Sequence, residues 1–245
     1  MKITIVGGGF GGVKTALELA KNKHNHVTLI SDKEDFQYFP ALYGTATGYS
    51  HLQSWVPLGT IFANIPNVTV IIDTITKITP AQKTIVGSSG TTYEYDNIVL
   101  ALGAVTTYFG IKGLDHFAYG IKSEDEIRRL KHHLYQQIAE EGALDKHYVI
   151  VGGGPTGVEL ASALGSYIKR LQKHHDVPGR KVHISLVEAS PRLLARMNPK
   201  TSAKVKKRLE KLGIDVELGK KVESATAEGL MVSGKPLKSH TIIWT

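Results

Sequence analysis

Two glycine clusters hold the residues whose type and spacing could do chemistry. Gly7-Gly8-Gly9-Phe10-Gly11-Gly12 and Gly152-Gly153-Gly154-Pro155-Thr156-Gly157 both satisfy G-x-G-x-x-G, with glycines at 7, 9 and 12 and again at 152, 154 and 157. In such a turn the first glycine permits a tight bend. The second removes the Cβ that would block a pyrophosphate, and the third lets a helix approach a strand. The helix N-terminus then offers free N–H groups and the positive end of its dipole to the phosphates. A Gly-rich turn without a ligand is the alternative, and the flanking strand and helix patterns favour dinucleotide binding over it.

Each turn is followed by an acid in a position to meet a ribose. The second strand of the later unit ends Leu186-Val187-Glu188, where a carboxylate accepts both ribose hydroxyls and repels a 2′-phosphate. That predicts NADH in preference to NADPH. Arg192 could accommodate a phosphate, but Glu188 at the strand end outweighs it. In the earlier unit the strand ends Ile30-Ser31-Asp32, so either Asp32 reaches the ribose or Ser31 substitutes with a weaker neutral hydrogen bond.

The elements that must position these residues read as a repeated plan. Lys2–Val6 is a strand, Val13–Lys21 a helix with Val13, Ala16, Leu17 and Ala20 on one apolar stripe, and His26–Ile30 a second strand. Tyr148–Val151, Val158–Leu171 and Val182–Val187 repeat it, with the first glycines 145 positions apart. Between the copies, segments 68–72, 75–78, 83–87 and 91–95 suggest a small β-meander, and Asn97–Leu102 reads as a parallel strand buried on both faces. A loop over 103–119 follows, and then a helix that Ser123 and Glu126 open as a capping box. The last part offers a helix at Ser202–Leu212, a strand at Asp215–Leu218, a hairpin around Gly229 to Pro236 and a strand at Thr241–Thr245. The fold class is α/β, with two Rossmann-like dinucleotide-binding domains of the three-layer ββα type, at 1–115 and 116–245.

Composition narrows the chemistry further. The 245 residues include no Cys, which excludes disulfides, thiolate metal sites, iron-sulfur clusters and redox cysteine pairs within this chain. The net charge of +8 lies in the second half: residues 1–121 carry 8 Lys and 8 acids, residues 122–245 carry 22 Lys+Arg and 14 acids. Lys204, Lys206, Lys207, Arg208 and Lys211 read as the solvated face of a helix whose apolar side is Val205, Leu209 and Leu212, and no aromatic residues interleave with them as nucleic-acid binding would require. The histidine pairs His24/His26, His132/His133 and His174/His175 lack metal-site spacing, so no metal is expected. With no signal segment and no long apolar run, the chain reads as cytosolic and soluble.

Two fingerprints in one cysteine-free chain point to two dinucleotides handled together, most simply for hydride transfer from a nicotinamide to a flavin. At this point the chain resembles the N-terminal portion of the type II NADH dehydrogenases, flavin-dependent NADH:quinone oxidoreductases within the pyridine nucleotide-disulfide oxidoreductase-like flavoproteins. The segments that carry the resemblance are Ile5–Gly12, Phe39-Pro40-Ala41-Leu42-Tyr43 with Ala46-Thr47-Gly48, Tyr95–Ala104, Tyr108–Ile111, Ile150–Ala161, Val187–Leu194 and Trp244-Thr245. Relatives that reduce disulfides carry a cysteine pair on the helix after the first βαβ unit, and residues 36–48 contain none.

The resemblance implies that FAD pyrophosphate lies on Gly7, Gly9, Phe10, Gly11 and Gly12, its ribose near Ser31 and Asp32, and its adenine near the backbone of Ile75. Pro40, Leu42, Ala101, Leu102 and Gly103 would approach the flavin. Family members usually have an acid where Ser31 stands. NADH would lie on Gly152, Gly154, Thr156 and Gly157, with Glu188 on its ribose and the backbone of Val222 by the adenine. Glu159 would orient the nicotinamide or relay protons, unless it only stabilises the helix dipole. The resemblance further implies quinone as acceptor in a respiratory chain, a seat on the cytoplasmic face of a membrane, and room for a homodimer. In this fold the chain returns to the FAD domain after the NAD domain, then supplies the quinone- and membrane-binding region. Both would lie outside these residues, leaving the FAD domain incomplete. Another acceptor, or a catalytically incomplete dinucleotide-binding piece, are the alternatives.

Overall fold

Short runs of β-branched and aliphatic residues alternate with amphipathic stretches along the chain, and in the computed structural model they become the strands of two parallel sheets and of smaller antiparallel layers. The structure describes residues 1–139, 147–176, 182–239 and 241–245. The chain divides into two compact units, Met1–Phe39 with His51–Val105, and Pro40–Ser50 with Thr106–Thr245.

The first unit contains β1 (Lys2–Val6), α1 (Phe10–Leu19), β2 (His26–Ser31) and β3 (Asp35–Gln37); α2 (Leu42–Ala46) belongs to the second unit. The chain then supplies the first unit with β4 (Trp55–Pro57), α3 (Leu58–Phe62), β5 (Val68–Ile72), β6 (Ile75–Thr79), β7 (Thr84–Gly87), β8 (Thr92–Glu94) and β9 (Asn97–Leu100). Its parallel sheet runs in the order β5-β2-β1-β9. One face packs Ile3, Ile5, Val27 and Leu29 against Val13 and Ala16 of α1 and Leu58 and Phe62 of α3. The other packs Val6 and Ile30 against Ile85 of the antiparallel β6-β7-β8 layer and Tyr95 just past it. Side chains that alternate along each strand thus fill two cores.

The second unit repeats this plan with α4 (Leu114–Phe117), β10 (Ala118–Tyr119), α5 (Glu124–Ala139), β11 (His147–Val151), α6 (Pro155–His174), β12 (His183–Glu188), α7 (Pro199–Lys211) and β13 (Ile214–Leu218). β14 (Val222–Thr226), β15 (Gly229–Val232), β16 (Lys235–Lys238) and β17 (Thr241–Trp244) complete it. The parallel order is β10-β17-β11-β12-β13. Val149, Val151, Val187, Ile242 and Trp244 face Val222, Ala225, Leu230 and Val232 of the antiparallel β14-β15-β16 layer. On the opposite face the Tyr148 hydroxyl donates to Gln137 Oε1 of α5. α5 opens on the expected capping box, with Glu126 N–H donating to Ser123 Oγ at 3.2 Å and Ser123 N–H to Glu126 Oε2 at 3.0 Å.

Several expectations need correction. Segment 68–72 is not part of the meander; it pairs in parallel with β2, because its aliphatic residues have a register partner there from Val27↔Val68 to Ser31↔Ile72. Of Asn97–Leu102, only Asn97–Leu100 pairs in parallel with β1; β9 is an edge strand among the described residues, and Leu100 and Leu102 are 57% and 72% exposed. Both helices of the βα turns begin inside the glycine motif, at Phe10 and Pro155, three residues before their apolar stripes. The 103–119 stretch contains a short helix and a strand that pairs with β17. The hairpin at 229–236 is two strands of a three-stranded layer. Leu212 caps α7 and is exposed, leaving Leu209 and Ser202 as that helix's buried side.

One buried acid ties the first meander to its sheet. Asp73 accepts hydrogen bonds from Ser88 Oγ, Ser89 N–H and Oγ, Tyr93 Oη and Thr74 N–H, and the Ser89 and Tyr93 hydroxyls hold its carboxyl far below the usual range. A folded value depressed in this way stabilises the protein above the unfolded value of about 3.9 and is lost as pH falls below it. Asp73→Asn should therefore lower the thermal unfolding midpoint at pH 7 and flatten its decline between about pH 5 and 3, as calorimetry across that range would read.

Candidate functional site

Both glycine turns adopt one geometry, and each glycine has a distinct physical reason. Gly7 and Gly152 have φ of +113° and +116°, a region open to glycine and strained for other residues. Gly7 N–H donates to Ile30 O at 2.8 Å and Gly152 N–H to Val187 O at 2.9 Å, which closes each turn onto the neighbouring strand. A Cβ on Gly12 would lie 1.8 Å from Gly7 O, and one on Gly157 1.9 Å from Gly152 O, so only glycine lets α1 and α6 come this close to the strand ends. A Cβ on Gly9 or Gly154 would meet nothing within 4 Å. Those two positions border open space where the helix N-terminus points, as required if a pyrophosphate is to approach the backbone.

Beside the first turn is a cleft of about 450 Å³ lined by Gly7–Gly11, Ser31, Asp32, Lys33, Gln37, Phe39 and Ala101–Val105. It brings together Gly7, Gly9, Phe10, Gly11, Ser31, Asp32, Ala101, Leu102 and Gly103 of the expected site. Ser31 is buried, and its hydroxyl donates to Lys33 O at 2.7 Å while accepting from Lys33 N–H at 3.2 Å. The exposed neighbour Asp32 is therefore the better placed ribose acceptor of the two. Phe10 packs edge-on against Phe36 at 4.9 Å and near Tyr38 and Phe39, which form an aromatic wall. Ile75 packs in the meander core and does not line this cleft. Pro40, exposed, and Leu42, buried, fall in the 40–50 segment of the second unit.

Beside the second turn is a cleft of about 610 Å³ lined by residues that include Gly152, Glu188, Lys220, Val222, Trp244 and Phe109. Glu188 Oε2 accepts from Gly153 N–H at 2.5 Å and Oε1 from Ser190 N–H at 2.6 Å, so its carboxylate is fixed at the cleft wall. The guanidinium of Arg192 donates to Met197 O at 2.6 Å, to Ser202 Oγ at 3.1 Å and to Ala195 O. These bonds commit it to its own loop, which removes the phosphate contact weighed from the sequence. Lys220 and Lys221 line the cleft but carried no signal in the sequence, because it is the turn after β13 that brings them there. Thr156 is half-buried in the first turn of α6 and Gly157 is buried below it.

Glu159 lies beyond the first turn of α6, which holds no acid, and does not line the cleft. It is half-buried without an ion pair among the described residues, and burial pushes its carboxyl above the usual value. That arrangement suits a group that holds a proton more readily than an exposed carboxyl better than one that stabilises a helix dipole. Among the described residues no group of three or more His, Asp or Glu could hold a metal ion.

The family model described as pyridine nucleotide-disulphide oxidoreductase matches residues 1–243. A type II NADH:quinone oxidoreductase of Mycobacterium tuberculosis is 29% identical over 245 residues, covering 94% of this chain and 53% of that protein. Another from Staphylococcus saprophyticus is 28% identical, covering 99% of this chain and 63% of its own length. The chain thus spans about half to two-thirds of the curated relatives it matches. Among solved structures, NDH2 from Plasmodium falciparum in complex with NADH superposes with a TM-score of 0.86 at 24% identity, over 100% of this chain and 54% of that one. The sulfide:quinone oxidoreductase of Aquifex aeolicus superposes with a TM-score of 0.82 at 21% identity.

The glycine geometry separates two substitutions. Gly157→Ala forces its methyl into Gly152 O and should lower stability by about 1–3 kcal/mol, whereas Gly154→Ala should leave the unfolding midpoint in place and weaken dinucleotide binding; calorimetry with a parallel NADH titration reads both. Glu159→Gln gives a third test. A raised folded value means the ionised form is disfavoured in the native state, a cost absent below the unfolded value of about 4.3 and growing as pH rises through it. The glutamine variant should unfold at an equal or higher temperature than the parent at pH 7 and show no gain at pH 4.

Proposed function

Because the chain belongs to the pyridine nucleotide-disulphide oxidoreductase family, we propose that its first cleft holds FAD, that its second holds NADH, and that the protein passes hydride from NADH to the flavin and electrons on to a quinone. The observation that carries this reading is the duplication: two turns of one geometry, each with its second glycine facing open space, in a chain with no cysteine to relay electrons. Bound FAD would supply the two-electron acceptor between nicotinamide and quinone. The chain's own residues then have limited tasks. The N-terminus of α1, with Gly9 and Gly11, would hold the flavin dinucleotide's pyrophosphate, Asp32 its ribose, and Ala101, Leu102 and Gly103 would border it. Gly154 and Thr156 would hold the NADH pyrophosphate on α6. Glu188 would accept the ribose hydroxyls, and Val222 would back the adenine. Its carboxylate, fixed by two backbone N–H groups, disfavours a 2′-phosphate by like charge. Glu159, neutral more readily than an exposed carboxyl, would hold or release the proton that accompanies reduction.

Quinone as acceptor is supported by the names of the curated relatives. A quinone dissolves in the bilayer, so this reading implies a seat at a membrane surface; no helix of the described residues is long and apolar enough to cross one.

The test is an absorbance spectrum of the purified protein before and after anaerobic addition of NADH or NADPH. Flavin bands near about 450 nm that bleach with NADH and persist with NADPH are the expected result, and Glu188→Gln should narrow the difference between the two. A colourless protein would sink the FAD assignment. Equal bleaching by both nucleotides would overturn the role of Glu188.

A further inference from the structure

The loop that borders the second cleft contains a residue whose conformation its own fold does not reward. Phe109 has φ +51° and is followed by Gly110 at +70°. A left-handed backbone suits glycine or asparagine and is strained for a bulky side chain. Burial does not offset the strain, because Phe109 is 76% exposed. The loop is nevertheless held at both ends. The Trp244 indole N–H donates to Thr107 O at 3.0 Å, and Ile111 N–H donates to Tyr108 O at 3.0 Å. Further along, Ala225 N–H donates to Lys112 O at 2.9 Å and Lys112 bridges to Ser224 of β14. The Phe109 ring stands at 67° to the Trp244 indole, with centroids 6.1 Å apart, and lines the cleft that also contains Glu188.

We propose that Phe109 is a dinucleotide-binding residue, whose ring stacks on a flat heterocyclic ring of the molecule bound in the second cleft; the inference rests on the reading of that cleft as the NADH site. An exposed ring fixed by an anchored loop loses little freedom when it stacks, and stacking on a base is tolerant of its identity. The shared chemistry is a flat ring with an open face, and the dinucleotide has two such rings, adenine and the dihydronicotinamide.

The test titrates the full chain with NADH, with ADP-ribose, which lacks nicotinamide, and with reduced nicotinamide mononucleotide, which lacks adenine. Phe109→Ala should weaken NADH binding by about tenfold and Phe109→Tyr should restore it to within about twofold. Phe109→Gly should lose affinity as alanine does while its thermal unfolding midpoint stays level or rises, since glycine is at ease at this φ. A matching loss with ADP-ribose assigns the stack to adenine; a loss confined to NADH and the mononucleotide assigns it to nicotinamide. Unchanged affinity in Phe109→Ala, with the parent binding NADH normally, overturns the stacking role alone. Affinity and unfolding midpoint falling together in Phe109→Gly also overturn it, since the ring would then serve the fold. A parent protein that binds none of the three ligands overturns the reading of the cleft and this inference with it.

Discussion

The approach of each turn's helix to its strand is the constraint on which the rest depends. The carbonyls of Gly7 and Gly152 sit where a Cβ on Gly12 or Gly157 would fall, so the first turn of α1 and of α6 lies directly over the end of the central strand. Everything that could hold an anion follows from that closeness, because the helix N–H groups and the end of the dipole are then aimed at the C-terminal edge of a parallel sheet. The sheets hold the geometry from below. β1 and β11 are each flanked by parallel neighbours, and each sheet is covered by helices on one face and a three-stranded antiparallel layer on the other.

The two units share this scaffold and differ at one position of consequence. Ser31 and Glu188 both end the second strand of their βαβ unit, yet the serine hydroxyl folds back on Lys33 while the glutamate reaches Gly153 and Ser190. A short neutral side chain satisfies itself locally, as serine commonly does in turns. A longer carboxylate spans to the glycine turn and joins the two sides of the cleft, leaving its remaining lone pairs for a ligand. The two strand ends therefore differ in reach and charge, on backbones that are otherwise alike, and the proposed preference for NADH rests on that difference.

The two clefts also differ in how they meet solvent. The first is lined by Phe10 and Phe39, whose rings stack, with Phe36 and Tyr38 packed behind Phe10, and so has a preset apolar side. The second is bordered by an anchored loop that keeps an aromatic ring in water against its conformational preference. That combination of strain and exposure is the basis of the binding role proposed for Phe109.

The sequence by itself determined the α/β class, the repeat of the βαβ unit, both glycine turns, the Ser123–Glu126 cap and the acid at Glu188, because these depend on periodicity and on residues within a few positions of one another. It misassigned segment 68–72 and overstated the burial of 97–102, since whether an aliphatic strand lies at a sheet's centre, at its edge or in a second layer is settled by which partners reach it, and no local pattern records that. Only the tertiary structure decided that Arg192 is spent on its own loop, that Ser31 turns inward, and that Lys220 and Phe109 border one cleft. The first two are local hydrogen bonds, where geometry chooses among rotamers that the sequence leaves equally open, and the last depends on packing between residues far apart in the chain.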